Sequence, residues 1–192
     1  MGACSADAAG QDPGARALKV LVGAMSHKDA EVRALAAGQW GNLKNPAARK
    51  LLTKAFADAD ARVRIEAGVG LSRLGDISGV KVLFDIVAPA PKTPEPEGPS
   101  AAVEELKFIA KNKLRAAAVK GLGEIGGDLA LYIVAQATED GSAEVRDAAL
   151  AALAKSGDGD ALPPFLSAID SPESAVRQKA VEALTEIGGD GL

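Results

Sequence analysis

Five arginines recur along the chain at intervals of 31, 51, 31 and 31 residues: Arg33, Arg64, Arg115, Arg146 and Arg177. Each closes a related segment: Asp-Ala-Glu-Val-Arg33, Asp-Ala-Arg-Val-Arg64, Lys-Asn-Lys-Leu-Arg115, Ser-Ala-Glu-Val-Arg146 and Glu-Ser-Ala-Val-Arg177. A fixed period of this size is the mark of a stacked array, and it constrains the fold more than any other feature. The downstream positions keep register. Ala36, Ala67, Ala118, Ala149 and Ala180 stand three residues on, and Trp40, Leu71, Leu122, Leu153 and Leu184 stand seven on. Ten on are Leu43, Leu74, Ile125, Ser156 and Ile187, with the serine as the one polar break. That spacing places a single apolar stripe on a helix. Gly75, Gly126, Gly157 and Gly188 follow in one register, where a left-handed C-cap is expected.

A second stripe lies upstream of each arginine: Leu18, Leu21 and Met25; Leu52 and Phe56; Val80, Leu83 and Val87; Leu131 and Val134; Leu162, Phe165 and Ile169. Each unit is therefore helix A, a short turn and helix B. Asp29, Asp60 and Ser142 stand as N-caps of helix B, and Ser171-Pro172 is expected to open the last one. Helix pairs with one apolar face each cannot fold separately, whereas stacked pairs bury a continuous core.

The repeat resembles the short HEAT-like repeats of phycobilisome-lyase type. The resemblance is carried by Asp-x-Asp-x-x-Val-Arg-x-x-Ala over residues 58–67 and by the Leu-Gly-Asp that ends at Asp76. It covers about residues 14–192. It implies an all-α fold, a right-handed α–α superhelix of five two-helix repeats, with helix B on the concave face. In such proteins the arginines form a structural ladder, each expected to bridge to the acidic turn of a neighbouring unit. Ankyrin and tetratricopeptide repeats have nearby lengths, but their signatures are missing.

Two segments depart from the repeat. Residues 1–13 are small and polar and are expected to be a disordered tail ahead of the 14–192 repeat domain. Cys4 there has two readings, an incidental cysteine of a cytoplasmic protein or the anchor of a bacterial envelope lipoprotein; the cytoplasm is the expected compartment. The 20 extra residues of the third unit include a Pro-rich insertion at about 88–100, with Pro89, Pro91, Pro94, Pro96 and Pro99. Alternating prolines favour extended backbone over helix. Beyond it, Val103, Leu106, Ala110 and Leu114 extend helix B of that unit from about Ser100 to Ile125. The insertion reads either as a tolerated loop or as an arm over the groove. The chain stops at a repeat boundary, compatible with a natural end or with a longer array.

Composition removes most chemistry. One Cys and one His exclude a disulfide framework and leave little for a Cys/His metal site or a nucleophile pair. His27 falls in the first A–B turn, with no orienting constellation. Certain HEAT-like relatives hydroxylate a modified lysine with iron held by His-Glu pairs, and no such pair exists here. No catalytic, metal or cofactor site is assigned. Aromatics are 3% of the chain and the net charge is −4, which argues against a nucleic-acid track. A cationic cluster, Lys44, Arg49, Lys50 and Lys54, falls on or near helix A of the second unit.

What remains is surface. Positions two before and two, five and nine beyond each arginine face away from the buried stripe and form rows across units. The outer row is Asn42, Arg73, Glu124, Lys155 and Glu186; the inner row includes Lys120, Ala151 and Glu182. Asn42, Arg73, Lys120, Glu124 and Lys155 are the candidate partner contacts. Gly38, Gly41, Gly68, Gly70, Gly121 and Gly123 punctuate the same helices, for tight packing or for a smooth groove. The expected function is a non-enzymatic scaffold, monomeric, that grips a protein or peptide in its concave face. A lyase-like accessory subunit acting on a bound chromophore or modified protein is the second reading, and a nucleic-acid-binding array the third.

Overall fold

A computed structural model describes residues 12–43, 45–94, 100–156, 162–172 and 174–189. Ten helices occupy them, with no strand among the described residues. They are α1 (Pro13–Ala24), α2 (Ala30–Asn42), α3 (Pro46–Ala55), α4 (Ala61–Arg73), α5 (Ser78–Val87), α6 (Ala101–Ile125), α7 (Asp128–Ala137), α8 (Ala143–Ser156), α9 (Leu162–Ile169) and α10 (Ser174–Gly189). Odd-numbered helices are A and even-numbered helices are B, so five pairs stack into an all-α solenoid.

The stacking explains the curvature. Each B helix packs on the next, α2 on α4, α4 on α6, α6 on α8 and α8 on α10, while contacts between successive A helices are sparse. Close inner helices and splayed outer ones put the B helices on the concave side. The alanines three beyond each arginine permit this approach: Ala36, Ala67, Ala118, Ala149 and Ala180 are all buried. So are Trp40, Leu71, Leu122 and Leu153. The Trp40 indole N–H donates to Leu21 O at 3.3 Å, which satisfies its one polar group inside the first pair.

The helix glycines serve packing. A β-carbon at Gly41 would lie 2.4 Å from the Gly70 α-carbon, and one at Gly123 would lie 2.5 Å from the Ala152 β-carbon. At Gly68 and Gly121 it would crowd Leu83 and Val69. Gly38 differs, since only the carboxylate end of Glu66 comes close.

Asp29 and Asp60 cap α2 and α4, accepting from the amides of Glu31 and Arg62 at 2.9 and 2.8 Å. Gly75 takes a positive φ of 76° just past α4, as the C-cap register expects, whereas Gly126 ends α6 at φ 65° and ψ −166°, positive in φ but outside the left-handed helical region. Other details differ from expectation. Asp12 caps α1, so the array begins at Pro13, inside the expected tail. Ser100, which the sequence offers as the cap of α6, makes no side-chain cap bond; its carbonyl accepts from Val103 and Glu104 instead. Helix α10 opens at Ser174 and not at Ser171-Pro172, and Gly188 lies within it. Cys4, Lys44, Gly157 and residues 95–99 lie outside the described residues. No helix among the described residues is long and apolar enough to cross a membrane.

Candidate functional site

The arginine ladder runs along the A–B turns. Arg33 donates from Nε and Nη2 to the two Asp58 carboxylate oxygens, at 2.7 and 2.8 Å, joining the first and second units. Arg115 also forks onto an aspartate, Asp140, but end-on through Nη1 and Nη2, joining the third and fourth. A planar fork on a carboxylate fixes orientation as well as distance. Nη1 serves the arginine's own turn. It donates to His27 O and Lys28 O from Arg33, to Asp58 O and Ala59 O from Arg64, and to Ser171 O and Pro172 O from Arg177. Arg146 donates to Asp140 O at 2.6 Å.

The ladder is less uniform than the sequence suggests. Among the described residues Arg64 hydrogen-bonds to the carbonyls of its own turn and meets no carboxylate. The position 25 residues downstream, aspartate for Arg33 and Arg115, is Pro89 of the insertion. In the third unit the carbonyls five and six residues before Arg115 are inside α6. Its Nε therefore reaches back to Val87 O at the end of α5, and its Nη1 to Asn112 Oδ1, at 2.9 and 3.1 Å. Asn112, buried beside it, is a partner that repeat spacing does not reveal.

These contacts set the carboxylate acidities. The Arg33 guanidinium beside Asp58 holds that carboxyl below its ordinary range. Burial raises Asp140, but the Arg115 fork and the Ser142 amide outweigh it and leave the group lowered. Asp60, hydrogen-bonded by Arg62, drops to about 2.

The concave face holds the predicted rows. Arg73, Lys120, Glu124, Lys155 and Glu182 line one groove of about 1000 Å³ across α4, α6, α8 and α10, over a floor that includes Leu150 and Ala151. The outer row is partly self-satisfied. Arg73 donates to Asn42 Oδ1 at 2.8 Å and to Glu124 Oε2 at 2.9 Å, so three consecutive units are linked on this face. Arg73 is thus a brace before it is a contact. Lys120 and Lys155 remain as exposed cations of the groove. On the convex side Arg49 is likewise engaged, by Asp76 and by Leu74 O. The described part of the insertion lies elsewhere: Pro91–Pro94 and one face of α6, including Glu104 and Phe108, line a separate cleft of about 510 Å³. His27 is exposed, and its Nδ1 accepts from the Asp29 amide.

A residue of the row two beyond each arginine, not among the candidate contacts, sits beyond Arg73. Glu66, two positions after Arg64, is half-buried in a second groove of about 330 Å³ between α2, α4 and α6. Its carboxylate takes part in no hydrogen bond or ion pair among the described residues. Burial pushes its pKa up, the Glu124 carboxylate adds to that, and Arg73 opposes it. A carboxyl with a raised folded pKa favours the folded state only in its protonated form, so its ionisation costs stability as pH rises. Glu66→Gln is expected to raise the melting temperature at pH 7. The gain should fade as pH falls through the raised value toward the ordinary 4.5, which a pH series of thermal melts would read.

Stacked helix pairs with an open inner wall define an α-solenoid. The chain belongs to the HEAT repeat family: the model of HEAT repeats matches residues 18–93 and 132–191. Among solved structures it is similar to the complex of CpcE and CpcF of phycocyanin lyase from Nostoc sp. PCC7120, at 20% identity over 88% of this chain and 99% of that one, with a TM-score of 0.55. It is also similar to human deoxyhypusine hydroxylase in complex with glycerol, at 21% identity over 92% of this chain and 75% of that one, with a TM-score of 0.38. The first likeness shows the fold. No curated protein matches the sequence.

Proposed function

We propose that the protein is a non-enzymatic scaffold that holds a polypeptide segment in its concave face. The observation that carries this reading is the groove of about 1000 Å³ built by four successive B helices. Side chains from separate units converge there on one occupant, so their contacts reinforce one another. The floor is aliphatic and the rim carries both signs of charge, with Lys120 and Lys155 beside Glu124 and Glu182. Mixed signs suit a protein surface; a phosphate track would call for cations alone.

The test compares two charge reversals on a partner captured by the immobilised protein and then purified. Lys120→Glu with Lys155→Glu is expected to weaken binding about tenfold or more, because like charges then face the partner across the groove. Lys50→Glu with Lys54→Glu, on helix α3 of the convex side, should leave affinity within about twofold. Loss of binding in the α3 variant with retention in the groove variant would move the working face to the outside.

A further inference from the structure

The second groove deepens that reading, on which it rests, because it opens from the first at Arg73, which lines both. It also has a sharper chemical character. Leu35, Ile65 and Ala117 give it aliphatic walls, and Leu35 is 63% exposed with nothing covering it. Two arginines border it, and both are already neutralised. Arg62 forks onto Asp60, at 3.0 and 2.7 Å, and Arg73 is held by Asn42 and Glu124. Among the described residues Glu66 has no such counterpart.

The position of Glu66 is built. It leaves α4 toward α2, and its Oε2 occupies the space above Gly38, where a β-carbon would come within 2.7 Å. A half-buried carboxylate that no cation answers weakens the fold for as long as the groove is empty. Its complement is a positive charge at the end of an apolar stem that can lie along Leu35, Ile65 and Ala117. Lysine and arginine side chains have that form.

We propose that Glu66 is the specificity residue of a subsite that takes a lysine or arginine side chain of the docked polypeptide, whose backbone continues past Arg73 into the larger groove. The cation answers the Glu66 charge, so binding recovers in the complex what the free protein lacks.

The experiment uses the full chain and arrayed dodecapeptides of random sequence in which one position at a time is fixed as Lys, Arg, Gln or Glu. At one position the Lys and Arg pools should bind roughly tenfold more tightly than the Gln pool, as a charge-assisted hydrogen bond implies, and the Glu pool least. Glu66→Gln should erase that preference and leave preferences at other positions in place. A basic preference that survives Glu66→Gln, or none at any position, overturns the subsite while peptide binding still upholds the scaffold. Peptide pools that bind nowhere overturn both. Free spermine is the second arm: if it binds wild type as tightly as the Lys pool does, the site belongs to a soluble polyamine and the assignment to a partner side chain falls.

Discussion

Asp140→Ala should lower the unfolding free energy by about 3 kcal/mol, more than any single change on the solenoid surface. The reason lies on the other side of the contact. The Arg115 side chain is only 3% exposed, and the substitution leaves its guanidinium charged in a dry site with one fork empty. Val87 O and Asn112 Oδ1 still accept from it, but neither carries charge. Removing one partner of a buried pair exposes the desolvation cost of the other, which is why the loss exceeds the worth of the contact itself. The pH dependence follows from the lowered acidity of Asp140. Its stabilising contribution is present above the ordinary 3.8 and is lost as pH falls through the folded value. The gap between wild type and Asp140→Ala in urea melts should therefore narrow in acid.

Gly41→Ala should lower stability by about 2 kcal/mol, although alanine is the better helix former by about 1 kcal/mol. The added carbon would meet the Gly70 α-carbon at 2.4 Å, and backbone cannot rotate aside as a side chain can. Helices α2 and α4 would have to separate along their contact, loosening Trp40 and Leu71 with them. Gly38→Ala is the control, three residues earlier on the same helix. There the obstacle is the mobile end of Glu66, so the change should be far smaller. Chemical denaturation of the two variants side by side reads the difference.

Periodicity alone carried the architecture a long way. The 31-residue register placed both helices of each unit, the overlong α6 and the outward rows of helix B, because burial of a stripe depends on spacing and hardly on side-chain detail, while their concave side was implied by the family resemblance. Pairing was harder to read. Arg64 occupies the same register as Arg33, yet the position that would supply its acid is Pro89 of the insertion, and no carboxylate among the described residues takes its place. Arg73 stood as an open contact in the row, whereas Asn42 and Glu124 close on it from both sides. Glu66 lay in the row two beyond each arginine, with Leu35 and Ala117 in the neighbouring units. The signal was a single carboxylate among aliphatics, which becomes informative only once the absence of a counter-ion is visible.

The missing rung at Arg64 has a consequence for how the array comes apart. In a linear array, stability is local and each joint contributes separately, so cooperativity breaks where coupling between neighbours is weakest. Between α4 and α6 no arginine reaches a turn carboxylate among the described residues, and the Arg73–Glu124 contact that crosses there is solvent-exposed and adds little. The buried side chains divide at the same helix. Val63, Ala67 and Leu71 of α4 belong with α1–α3, while Ile65 and Val69 belong with the later units. The molecule should thus behave as two blocks, with the amides of α1–α4 exchanging with solvent water through a partial opening that leaves α5–α10 folded. The two grooves together straddle that joint. A polypeptide seated along both would bind only the closed arrangement and would merge the two openings into one, so that occupancy registers as a gain in cooperativity at the N-terminal end.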